Sequence, residues 1–114
     1  MNTQDPSTWL DISASFDANA YDGDMDADLA LLRSGALHIL NAFPSYSCEL
    51  VVLDDLTMYV RITEAASTVA ELCTSTADDG QPCYFIALLR PTNEIRVKTV
   101  EEVIEVLRKA SSAS

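Results

Sequence analysis

CELVVLDDLTMYVRIT, residues 48–63, holds the clearest information about how this chain folds. Two apolar-rich segments, 48–53 and 56–63, are separated by Asp54-Asp55, a short polar break of the kind that joins hairpin strands. In the second segment Leu56, Met58, Val60 and Ile62 alternate with Thr57, Tyr59 and Arg61. That period of two marks a strand with one face buried and the other left open. Downstream, segments 68–74 and 83–90 flank Ala77-Asp78-Asp79-Gly80-Gln81, where Asp-Gly signals a turn. Four strands are therefore expected. Segment 64–73 reads two ways, because its alanines and glutamates also suit a helix.

Helices are expected on both sides of these strands. Leu29, Leu32, Ala36, Leu40 and Phe43 recur at spacings of three and four, one apolar helical face. Asp24, Asp26 and Asp28 crowd its start, where negative charge meets the positive end of the helix dipole. Pro44 prevents continuation, so the helix is predicted over 24–43, with Gly35 weakening its middle or marking close packing. The last element opens on Thr99 and Glu102, a capping box in which each side chain bonds the other's backbone N–H. Val100, Val103, Ile104, Leu107 and Ala110 then line one face, predicting a helix over 100–110 and a frayed tail over 111–114.

Residues 1–23 read as an acidic, partly disordered arm without sustained periodicity. Trp9, Leu10, Ile12, Phe16 and Tyr21 are scattered through it. A purely solvating tail rarely holds a chain's one tryptophan, so this arm either docks on its own domain or folds against a partner. The expected architecture is α+β: an antiparallel sheet of about four strands flanked by an N-terminal and a C-terminal helix, over a single domain of residues 24–110.

A chain of 114 residues buries roughly two-thirds of its unfolded surface, enough for one core without metals or disulfides. The longest apolar runs, 50–53 and 83–89, are too short to span a bilayer. With no basic segment leading into an apolar one at the start, a cytoplasmic protein is expected. Cys48, Cys73 and Cys83 lie in apolar segments and read as small buried hydrophobes. Cys73 and Cys83 are placed to face each other across a hairpin, as thiols in a reducing compartment.

Charge is −11 and unevenly spread. The first 28 residues hold seven aspartates and no Lys or Arg, against eleven acidic and seven basic residues in the remainder. Such a field repels nucleic acid and anionic membranes and favours basic partners, so neither direct nucleic-acid binding nor membrane binding is expected.

Catalysis needs a nucleophile or base with supporting groups, and the chain offers a single histidine, His38, with no acid paired to it in sequence. The carboxylate pairs Asp54-Asp55, Asp78-Asp79 and Glu101-Glu102 fall at predicted turns or a helix start, where acids serve structure. Three glycines leave no phosphate-binding loop. The run Asp22-Gly23-Asp24-Met25-Asp26-Ala27-Asp28 resembles half a calcium loop, but counting from Asp22 puts Ala27 where Gly belongs and Arg33 where Glu belongs. No enzyme, cofactor or metal site is expected, and no partner-binding residue is singled out. What remains is surplus apolar strand surface: residues 83–89 are apolar on both faces, and two helices cover only one face of a sheet. The other face calls for the arm, a second copy or a target protein, and a homodimer is expected.

The stretches LHILNAFPSYSCELVVLDD (37–55) and FIALLRPTNEIRVKTVEEVIEVLRK (85–109), with the length and acidity of the chain, resemble the QslA-type antiactivators of quorum sensing from pseudomonads. The resemblance implies binding to the ligand-binding domain of a LuxR-type transcription regulator, blocking its dimerisation and DNA binding. Two rival readings of a small acidic chain are a DNA mimic, as in anti-restriction or anti-CRISPR inhibitors, and a toxin-neutralising immunity protein. Steep weakening with salt marks either rival, and an apolar interface weakens much less.

Overall fold

The computed structural model of the chain describes residues 2–16, 21, 23–89 and 92–112. Its strands pair in strict chain order: β1 (Asn2–Thr3), β2 (Tyr46–Val52), β3 (Met58–Glu64), β4 (Ser67–Thr76), β5 (Pro82–Leu89) and β6 (Thr92–Val97), each antiparallel to its neighbour. Two helices, α1 (Met25–Ala42) and α2 (Val100–Ser112), share a hydrophobic core with one face of this sheet. A 3-10 helix, Pro6–Ser15, lies against α1. The fold is α+β with an antiparallel sheet and helices at both ends.

The expected count of about four strands is corrected to five, with the two-residue β1 as a sixth at the edge. The strand missed is β6. Only Ile95 and Val97 of its six residues are apolar, because an edge strand beside an open face buries little else. Segment 64–73 resolves as the turn Ala65-Ala66 and the start of β4. Both alanines take the left-handed backbone, φ 51° and 68°, which tight hairpins need and which alanine does not advertise. A bulge between Ile62 and Thr63 adjusts the β3–β4 register just before that turn.

Alternation along the strands builds the core. Leu50, Val60, Leu72, Ile86 and Ile95 stand side by side across five strands on the helix side, the first four fully buried. Leu29, Leu32, Ala36 and Ile39 of α1 and Val103 and Leu107 of α2 close over them. Asp24 is the N-cap of α1, its carboxylate accepting from Ala27 N at 3.1 Å. At α2 the Thr99 hydroxyl accepts from Glu102 N at 3.2 Å, while the Glu102 carboxylate accepts from the Thr99 hydroxyl at 3.4 Å rather than from its N–H. Helix α2 runs two residues beyond its expected end, and 113–114 lie outside the described residues. At Gly35 α1 packs tightly on the sheet. A Cβ there would stand 2.8 Å from Leu72 Cδ2. Among the described residues no helix is long and apolar enough to cross a membrane.

Candidate functional site: the open face of the sheet

Both helices and the N-terminal segment pack on the helix side, which leaves the opposite face of the sheet without a cover among the described residues. The same alternation that builds the core lays out this face. One row across five strands reads Glu49, Arg61, Glu71, Ala87, Glu94, and the next carries Val51 beside Tyr59 and Cys73 beside Phe85 and Arg96. Tyr59, Cys73, Phe85 and Ala87 are half-buried, and Leu53 and Leu89 stand 45% and 40% exposed at strand ends. Val51 and Cys83, on this face by register, are nearly closed off at 4% and 1%.

Arg61 organises the polar part. Its Nη1 donates to Glu49 Oε1 at 3.2 Å and its Nη2 donates to the Tyr59 hydroxyl at 3.1 Å, with the guanidinium 6.0 Å from the Tyr59 ring centre. The Tyr59 hydroxyl first, and then the carboxylates of Glu49 and Glu71, hold Arg61 more firmly protonated than usual. Two long side chains are thereby fixed in place before anything binds, which lowers the ordering cost of association. Beside them the Cys73 thiol is pushed above its ordinary value by burial and by Glu71, so it stays neutral. The arrangement is a mixed surface with a clamped Arg–Tyr–Glu group and a half-buried phenylalanine.

The residues weighed from sequence are scattered by the fold. His38 is exposed on α1, its ring Nδ1 2.8 Å from Ser34 O. Asp55 accepts from Thr57 N at 3.0 Å and Asp79 from Gln81 N at 3.0 Å, each closing its own hairpin turn. Glu101 and Glu102 sit in the first turn of α2. Of the acidic run, Asp22 is outside the described residues, Asp24 caps α1, and Asp28 accepts a hydrogen bond from Tyr21. Cys73 and Cys83 do not face each other as expected: Cys73 pairs with Phe85 and Cys83 with Ser75, two residues along, and the three thiols are free. Cys48 is a core residue whose thiol burial pushes up to about 12. Sequence reasoning missed the Glu49–Arg61–Tyr59 group, although its signal was present: Tyr59 and Arg61 at i and i+2 of the alternating strand, facing Glu49 across a predicted hairpin. No protein-family model, curated protein or solved structure matches the chain.

Proposed function

We propose that this chain works by binding another protein through the open face of its sheet, as an antiactivator whose target is the ligand-binding domain of a LuxR-type transcription regulator. The observation that carries the reading is the face itself. Tyr and Arg are among the side chains that carry most binding energy at interface centres and Phe is enriched there, and here Tyr59, Arg61 and Phe85 share one face, half-buried and partly preset. The resemblance of residues 37–55 and 85–109 to antiactivators supports the choice of target. An overall charge of −11 supports a protein target over nucleic acid, since it repels phosphates while steering a basic surface into encounter. Occupying the regulator's dimer surface would then keep two DNA-reading domains from meeting on one operator.

The test uses a purified LuxR-type ligand-binding domain, titrated with the full-length chain and followed by light scattering. The regulator's homodimer should give way to a mixed complex. Phe85→Asp, folded by circular dichroism, should weaken that complex at least tenfold, or about 1.4 kcal/mol. Binding unchanged by Phe85→Asp and by Arg61→Glu would remove the open face from consideration. A collapse of affinity with added salt would favour the DNA-mimic or immunity reading instead.

A further inference from the structure

The N-terminal segment is a strained occupant of the place it fills. Pro6, Trp9 and Ile12 are its buried residues, spaced three apart. At three residues per turn they fall on one straight line, which explains why the segment winds as a 3-10 helix rather than an α-helix. Helices of that kind rarely exceed three or four residues, because their hydrogen bonds are poorly aligned, yet this one runs for ten. Trp9 is fully buried, and its indole Nε1–H meets no acceptor among the described residues. A buried N–H that has given up water without gaining a partner is a standing cost. Beyond the burial of Pro6, Trp9 and Ile12, Arg33 Nε donates to Pro6 O at 3.2 Å, and among the described residues β1 pairs with Leu50 and Val51 of β2.

We infer that residues 2–16 are a detachable strap, which opens as a unit while the sheet and both α-helices stay folded. This inference rests on the reading of the open face as the binding site and adds a control to it. Val51 belongs to that face and pairs with Asn2, so the closed strap borders the site along β2. Release removes the bordering strand from Val51 and lifts Trp9 from α1 in the same motion.

Trp9 is the chain's one tryptophan, so its emission reports the strap and nothing else. The experiment is a urea titration of the free full-length chain, following Trp9 emission, its quenching by acrylamide, and far-ultraviolet circular dichroism, with hydrogen exchange of peptides from 2–16 and from β3 and β4. Trp9 should shift to the red and become quenchable at lower urea than the circular dichroism transition. Amides of 2–16 should exchange at least tenfold faster than those of β3 and β4. Ile12→Ser should move the Trp9 transition further down and leave the circular dichroism midpoint in place. Coincident transitions, equal protection, or an Ile12→Ser change that moves both transitions together would overturn the strap. No partner is present, so those results would leave the binding-face reading standing, just as indifference to Phe85→Asp would leave the strap standing.

Discussion

Placing alanine at Gly35 sets two effects of similar size against each other. In mid-helix the change favours folding by about 1 kcal/mol, because glycine loses more backbone freedom than alanine does. The new Cβ, however, would lie 2.8 Å from Leu72 Cδ2 and 3.3 Å from Tyr84 Cε1. Carbon atoms pack at about 3.5–4.0 Å, so the overlap with Leu72 approaches 1 Å. Neither neighbour yields easily: Leu72 is fully buried, and the Tyr84 hydroxyl donates to Leu31 O at 2.9 Å. Overpacking of this kind costs about 1–3 kcal/mol, so Gly35→Ala should destabilise the protein by a net of roughly 1 kcal/mol. Leu72→Val lacks the offending Cδ2. In that background the same glycine replacement should be neutral or stabilising by up to about 1 kcal/mol. Urea denaturation of the four proteins closes a double-mutant cycle with an expected coupling of about 1–2 kcal/mol. Additive effects, or a stabilised single mutant, would show that Leu72 does not limit the approach of α1 to the sheet.

Thr99→Ala should lower the urea midpoint by an amount worth about 1 kcal/mol, and an unmoved midpoint would mean that the Thr99 hydroxyl does not cap α2. The hydroxyl and backbone N–H of Ser7 hold Asp5 below its ordinary value of 3.8. A carboxyl with a depressed folded value stabilises above its free value and loses that contribution as pH falls through the lowered one. Trp9 should therefore be released at progressively lower urea as the solution is acidified below pH 3.8, and Asp5→Asn should flatten that dependence. Without a regulator present the open face should find a second copy of itself, so sedimentation at micromolar concentration should show a dimer mass that Phe85→Asp returns to monomer. A wild-type chain that stays monomeric over the accessible range would count against spare binding surface on the sheet.

Elements whose periodicity and end signals agree were readable in the residues alone. Helix α2 has both a Thr99 cap and an apolar stripe, and β3 has strict alternation. Helix α1 was bounded correctly to within a residue at each end, though its buried line runs through Ile39 more than Leu40. What escaped was set by tertiary context. β6 is too polar to announce itself, and its pairing with β5 is what makes it a strand. The Ala65-Ala66 turn carries no glycine or asparagine to mark its left-handed backbone. The apolar excess of residues 83–89 was visible, but not which half of it would stay open. Register decides that: Tyr84, Ile86 and Leu88 go to the core, while Phe85 and Ala87 go to the open face. The candidate site was thus half legible, as a surplus of apolar strand, while the Arg61 clamp needed the observed pairing of Glu49 with Arg61.

The chain-order pairing of the strands also governs how the molecule assembles as it is made. Each hairpin from β2 to β6 joins segments adjacent in sequence, a low-contact-order arrangement that zips up quickly once both strands exist. Helix α1 has the opposite schedule. It packs against β2, β3 and β4, all of which lie downstream, and its core neighbours Tyr84 and Ile86 are later still. At roughly 5–20 residues per second, a growing chain holds α1 for several seconds before the sheet it needs has left the ribosome. Over that interval Leu29, Leu32, Ala36 and Ile39 form an apolar stripe that only the upstream 3-10 segment is present to meet. The aspartates around the helix start travel with that stripe, and their mutual repulsion keeps neighbouring nascent chains from meeting through it until β2 to β5 arrive.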